Sequence, residues 1–312
     1  MEKKILGIHH VTAIAGDPQR NLDFYAKILG LCLVKRTVNF DDPGTYHLYY
    51  GDEKGSPGTI LTFFPWPGVP RGRRGTGQVT VSSFSIPENA MGYWMKRFKS
   101  HDINAYDPTD RFEEKVLVFT DPDGLQLELV SHSSENLRES WGEGSIPSEF
   151  AIRGFHSVTL SEEGYEKTAS LLTETMGFRL LREEGNRFRY ATGDGEGRSL
   201  VDVLCLPYTE RGLVSVGTVH HVAWRTPTDE EQKFWRKEIA SLGFNVTPII
   251  NRHYFKSIYF REPGGVLFEI ATDPPGFSID EPMEELGTHL KLPPWFESRR
   301  EEIERALPPL HL

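Results

Sequence analysis

A chain of 312 residues that is 38% hydrophobic, 12% aromatic and 26% charged has the apolar material for two domains or one large one, and suits a soluble globular enzyme. Its formal net charge of −10, unrelieved by any basic stripe, argues against a nucleic-acid partner held through phosphates. No apolar stretch reaches the roughly 18 residues of a membrane helix, and Met1 to Lys4 leads straight into a strand-like run, so neither a span nor a signal peptide is expected and a cytoplasmic location follows by default.

In chain order, one unit of roughly 50 to 75 residues recurs four times: a strand, an amphipathic helix, then three strands, the last introduced by a Pro/Gly turn. The first unit opens on GIHHVTAI, continues through the helix NLDFYAKILG and closes on SPGTILTFF. The second runs from GQVTVSSFSI through NAMGYWMKRFKS to DPDGLQLELVS, and the third from GFHSVTLS through YEKTASLLTETMGF to RSLVDVLCLP. The fourth runs from TVHHVAWRT through EEQKFWRKEIASLGF to EPGGVLFEIAT. The fold class is therefore α+β, four βαβββ modules, with modules one and two in 1–150, modules three and four in 151–275, and a C-terminal tail in 276–312. That Pro-rich tail ends in a charged helix, a pattern suited to wrapping the domain or a neighbouring subunit of a homo-oligomer.

Two histidine doublets, His9-His10 and His220-His221, open strands of modules one and four, and Glu269 lies in the last strand of module four. Two imidazoles and one carboxylate on three strands form the ligand set of a non-haem Fe(II) facial triad, with Mn(II) as the alternative metal. Aligned through Pro57, Pro122 and Pro263, the modules bring Phe63, Glu128 and Glu269 into register, Arg111 under Arg252, and Val118 under Tyr259. GIHHVT on GFHSVT sets His9 with His156 and His10 with Ser157. Only one residue of each doublet can enter a metal cup, because neighbours on a strand point to opposite faces. The second position is His in modules one and four and Ser in module three, so His10 and His221 are the expected ligands, with His9 and His220 as neighbours that orient them or merely pack.

Weaker signals are Arg71, Arg73 and Arg74 in a Gly-rich loop, read as a solvated turn, and Glu128, read as a hydrogen-bonded or rim carboxylate. His47, His253 and Tyr46 are equally suited to a pocket wall and to sheet packing, whereas Trp66 and Trp295 suggest loop anchors. Cys32 and Cys205, far apart in apolar sequence, suggest buried free thiols.

Four βαβββ modules carrying these His and Glu positions resemble the vicinal oxygen chelate superfamily, and GIHHVTAIAGDPQRNLDFY, VKRTVNFDDPGTYHLYYGDEKGSPGTILTFFPW, TVHHVAW and FEIATDPPGF resemble the hydroquinone and catechol ring-cleaving dioxygenases of bacteria. The resemblance spans nearly the whole chain and implies two open β-barrels, with modules one and four sharing the one that holds the metal. It implies Fe(II) on His10, His221 and Glu269, and catalytic roles for His9, Thr12, Arg252 and Tyr259 around a small aromatic diol and O₂. A glyoxalase-type isomerase or lyase is the first rival, disfavoured because Phe63 offers no fourth ligand, and a metal-free protein that sequesters aromatic drugs is the second.

Overall fold

The computed structural model describes residues 3–132, 145–193 and 199–312. Module one contributes β1 (Ile8–Ala15), β2 (Cys32–Asn39), β3 (Asp42–Gly51) and β4 (Ile60–Pro65), and module two β5 (Gln78–Ile86), β6 (Thr109–Arg111), β7 (Glu114–Thr120) and β8 (Gln126–Ser131). Module three gives β9 (Phe155–Glu162), β10 (Arg179–Glu184), β11 (Arg187–Thr192) and β12 (Ser199–Cys205). Module four gives β13 (Thr218–Thr226), β14 (Ile250–Asn251), β15 (Lys256–Arg261) and β16 (Leu267–Thr272).

These strands build two curled sheets of eight, ordered β14-β15-β16-β13-β1-β4-β3-β2 and β10-β11-β12-β9-β5-β8-β7-β6. Modules that are distant in sequence therefore share a sheet: β1 joins β13 antiparallel at the centre of the first, and β5 joins β9 at the centre of the second. Within a module the first strand pairs parallel with the last, as β1 does with β4 and β13 with β16. The Arg71–Arg74 loop pairs with its counterpart before β13 through bridges at Arg71 to Val216 and Arg73 to Leu213, so it ties the halves together instead of forming an isolated turn.

Helices cover the convex face of each sheet. The helix α1 (Pro18–Leu22) starts where the Asp17 side chain accepts from the Arg20 amide, with Pro18, which has no amide to leave unpaired, in its first turn. α2 (Met91–Ser100) and α3 (Glu166–Ser170) occupy the same place in the next two modules. α4 (Asp229–Ser241) is capped by Thr228 and opens with three acidic residues, which complement its dipole. Its buried Gln232 donates to the carbonyls of Ile270 (2.8 Å) and Lys256 (2.6 Å), while Trp235 and Ile239 are buried beneath it. Strand alternation then decides the site: Phe268 and Ile270 enter the core, and Glu269 faces the concave cup.

The tail leaves β16, crosses the outer strands of the first sheet and ends in α5 (Arg300–Ala306). It is fastened by Lys35, fully buried between Asp280 and Glu281 at 2.8 Å each, and by Tyr46, whose hydroxyl donates to the Pro308 carbonyl. Cys32 and Cys205 are free thiols, as expected, but each is only half-buried.

Candidate metal centre

His10 on β1, His221 on β13 and Glu269 on β16 converge in the concave cup of the first sheet, all buried. The two Nε2 atoms lie 3.3 Å apart, and Glu269 Oε2 is 3.3 Å from that of His10 and 2.8 Å from that of His221. Among the described residues this is the one cluster of three metal-type side chains. Burial alone would raise the Glu269 pKa, yet the two imidazoles hold its carboxyl well below the usual range. Ser257 donates to the other oxygen, Oε1, at 2.5 Å, which leaves Oε2 aimed at the histidines with no hydrogen-bond donor of proper geometry. Two nitrogens and an ionised oxygen gathered at that spacing fit a divalent cation.

The outer histidines do not simply face away. Between Ile8 and His10 the partner register advances by one residue instead of two, and at His220 the mirror irregularity occurs, so each first histidine is the extra residue of a β-bulge. The bulge turns its ring back onto its neighbour: His9 Nδ1 lies 2.9 Å from His10 Nδ1, and His220 Nδ1 2.8 Å from His221 Nδ1. Each contact orients the ring of the second histidine so that its Nε2 points into the cup. Burial first, then the adjacent imidazole, pushes the pKa of both His9 and His220 down to about 3, so both are neutral hydrogen-bonding partners.

One registration from sequence is corrected. Glu269 pairs with Ala223 across β16 and β13, and the corresponding pair across β4 and β1 is Thr62 with Thr12. Thr62, not Phe63, therefore stands in the glutamate position of module one. The slip arises in the turn: Gly124 and Gly265, at φ +91° and +100°, lie two residues after their prolines, whereas Gly58, at φ +87°, directly follows Pro57. A one-residue deletion moves every later side chain to the other face. Phe63 instead packs on Tyr25 and Tyr50 in the core.

Thr62 belongs to a hydrogen-bonded chain along the cup. Tyr49 Oη is 2.8 Å from His47 Nδ1, His47 Nε2 is 2.8 Å from Thr62 Oγ1, and Thr62 donates to Thr12 Oγ1 at 3.0 Å. Burial holds the His47 imidazole neutral, well below its ordinary pKa. If Tyr49 donates, His47 passes its one proton to Thr62, and the Thr12 hydroxyl is left free to donate into the cavity. Of the undecided residues, His47 thus lines the site. Tyr46 and His253 turn away, Tyr46 to Pro308 and His253 to Asp280 and the Trp295 ring. Trp66, read as a loop anchor, is in fact part of the cavity wall, whereas Trp295 anchors the tail against Phe40 and His253.

Arg252 and Tyr259 meet as their spacing suggested. Tyr259 pairs with Glu269 across β15 and β16, and Arg252 Nε donates to its hydroxyl at 3.2 Å. Burial, and then Glu269, raises the Tyr259 pKa, so the phenol keeps its proton at neutral pH. Arg252 is carried by a tight turn in which His253 adopts φ +65°, a costly conformation for a non-glycine residue. Asp280 of the tail accepts from Tyr254 at 2.9 Å and lies 3.3 Å from His253 Nε2, which braces this turn from behind. His10, His221, Thr12, His47, Tyr49, Arg252 and Tyr259 border a cavity of about 330 Å³ whose aromatic walls include Phe40, Phe64, Trp66 and Phe255.

In the second sheet, ion pairs occupy the corresponding positions. Arg111, aligned with Arg252, closes instead on Glu128 through two hydrogen bonds of 2.9 and 2.7 Å, and Ser83 donates to the same carboxylate. Asp202, which the sequence comparison left unassigned, pairs with Thr159 as Glu269 does with Ala223, and is clamped by Arg187 and Arg189. His156 lies 3.2 Å from Glu114. Fixed guanidinium groups take the space and charge that a metal would need.

Known proteins share this arrangement. The model of the glyoxalase/bleomycin resistance protein/dioxygenase superfamily matches residues 7–129 and 154–270. MhqO of Bacillus subtilis (strain 168), provisionally named a ring-cleaving dioxygenase, is 49% identical over 312 residues, covering 100% of this chain and 99% of its own. A chlorohydroquinone/hydroquinone 1,2-dioxygenase of Sphingobium indicum is 33% identical over 313 residues, 98% of this chain and 97% of its own. The crystal structure of a provisionally named dioxygenase from Bacillus subtilis superposes with a TM-score of 0.94 at 49% identity, covering 99% of this chain and 98% of that one. Modules, pairing and sequence agree, and the chain belongs to the glyoxalase/bleomycin resistance protein/dioxygenase superfamily.

Proposed function

We propose that this protein is an Fe(II)-dependent ring-cleaving dioxygenase acting on a hydroquinone or catechol-type ring, with Fe(II) held by His10, His221 and Glu269. The observation that carries the reading is the three-residue cluster opening onto one small aromatic-walled cavity. The relative from Sphingobium indicum named as a hydroquinone dioxygenase supports it. When bound, the metal supplies Lewis acidity that favours the phenolate form of a diol, together with redox chemistry toward O₂.

The chain's own groups then have defined tasks. Phe40, Phe64, Trp66 and Phe255 take the ring faces and keep water out. Tyr259, still protonated, donates to an oxygen of the reacting ring or acts as its acid, and Arg252 holds that phenol in place. Thr12 offers the terminal hydroxyl of the Tyr49–His47–Thr62 chain. The glyoxalase-type alternative is weakened by Thr62, a neutral hydroxyl already engaged with Thr12 and His47.

Anaerobically purified protein titrated with Fe(II) and then given hydroquinone in an oxygen electrode tests the proposal. One O₂ consumed per ring, with a ring-opened product bearing both oxygen atoms, is the expected result. Failure to bind any divalent metal, or turnover of a diol-free substrate without O₂ uptake, overturns it.

A further inference from the structure

Among the described residues, two side chains of fixed charge line the cavity beyond the metal cup, Asp41 and Arg252, and they face each other: Arg252 Nη1 donates to Asp41 Oδ2 at 2.9 Å. Asp41 sits in the short connection from β2 to β3, between Phe40 and Asp42, with its side chain 73% exposed, whereas the Arg252 side chain is 19% exposed. The two come from opposite ends of the first sheet, 211 residues apart, so the contact closes one side of the cavity mouth. It also completes a line of hydrogen bonds from Asp41 through Arg252 to the Tyr259 hydroxyl, which borders Glu269 and His221.

An exposed ion pair contributes little to stability, so folding does not explain why the carboxylate is there. Its effect on a ligand is larger. Among the described residues Arg252 is the one permanent cation of the lining, and without a partner it would attract any carboxylate or sulfonate carried on the ring. With Asp41 on it, an anionic substituent meets a cation already satisfied and a second negative charge beside it. The rest of the lining is uncharged beyond the histidines: Phe40, Phe64, Trp66, Phe255 and Leu267 offer apolar contact, and Asn39 and Tyr49 bring neutral polar groups. In the equivalent position of the second sheet the roles differ, because Arg111 is spent on Glu128 itself.

We propose that Asp41 is the specificity-determining residue of this site, restricting it to diols with uncharged ring substituents by occupying the Arg252 guanidinium. The inference rests on the reading of the cavity as an aromatic diol site. A charge at about 6 Å from the ligand, in a medium of effective dielectric constant roughly 40, changes binding by about tenfold.

Equilibrium binding of hydroquinone and of a ring-carboxylated hydroquinone to the Fe(II)-loaded protein under anaerobic conditions, read by tryptophan fluorescence, tests this without turnover. The ratio of the two dissociation constants is the quantity that decides. D41N is expected to shift it about tenfold toward the carboxylated ligand, and D41E, which keeps the charge, to restore the original preference. A merely structural loop residue would weaken both ligands together and leave the ratio unchanged, and that result overturns the proposal, as does a wild-type protein that prefers the carboxylated ring. Because no O₂ is consumed, the ratio stands apart from the dioxygenase assay: binding with the predicted ratio but no ring cleavage would remove the reaction and keep the role of Asp41.

Discussion

Replacing Lys35 by Met should both destabilise the protein and loosen the site, although Lys35 lies outside the cavity lining. Lys35 is fully buried on β2, its ammonium 2.8 Å from Asp280 and 2.8 Å from Glu281, with the Tyr254 ring 5.2 Å away. Glu281 is itself buried and keeps only the amides of Gly287 (3.1 Å) and His289 (3.2 Å), with the exposed His289 ring 3.5 Å away. K35M therefore leaves a buried carboxylate without its cation, a loss of about 3–5 kcal/mol. Removing the anions as well, in K35M/D280N/E281Q, should recover at least half of that, because the cost lies in the unpaired charge more than in the missing bond. The tail transmits the damage: Asp280 braces His253 and Tyr254, whose turn presents Arg252 and Phe255 to the cavity. Urea unfolding followed by tryptophan fluorescence gives the stability, and diol affinity at low temperature gives the effect on the site. A K35M loss below about 1 kcal/mol, or a triple variant no better than the single, would refute the reasoning.

Further outcomes follow from the same geometry. H10A, H221A and E269A should each abolish stoichiometric metal binding, whereas H9A and H220A should retain one metal per chain at saturation with affinity lowered about 10–100-fold, as titration with a chromophoric chelator would show. Glu162, buried beside Glu262 where β9 meets the turn before β16, has its pKa pushed up to about 8 by burial and then by Glu262. The native state thus holds a proton that the unfolded chain has lost, and stability falls as pH rises from about 4.5 to about 8, by up to about 1.4 kcal/mol per unit. E162Q should flatten that slope in urea unfolding at pH 5.5 and 8; an unchanged slope would remove Glu162 as its source.

The convergence of His10, His221 and Glu269 was legible in the sequence because a repeated module carries its own internal control: Ser157 against His10 and His221 marks the position that differs between modules. The pairing of module one with module four followed from the resemblance to the vicinal oxygen chelate superfamily, and the first sheet joins those two modules. The neighbours of the ligands were less accessible. Strict alternation turned His9 and His220 away, and the bulges that return them depend on how β1 meets β13, more than 200 residues apart. Thr62 was missed because proline was taken as the anchor of the turn, when the left-handed glycine is what sets the strand register.

What the sequence determined by itself was therefore periodic or chemical: four α+β modules, an acidic surface, and three metal-type side chains at repeat positions. Tertiary structure alone decided which groups surround them. Asp41 meets Arg252, His47 meets Thr62, Trp66 joins the wall and Asp280 reaches the Arg252 turn only because the two halves of the first sheet close on one another and the tail crosses it. Such contacts join residues with no fixed spacing along the chain, so local periodicity carries no trace of them. The second cup illustrates the same limit: Arg111 aligns with Arg252 in sequence, and only its hydrogen bonds to Glu128, with those of Arg189 to Asp202, reveal that ion pairs fill it.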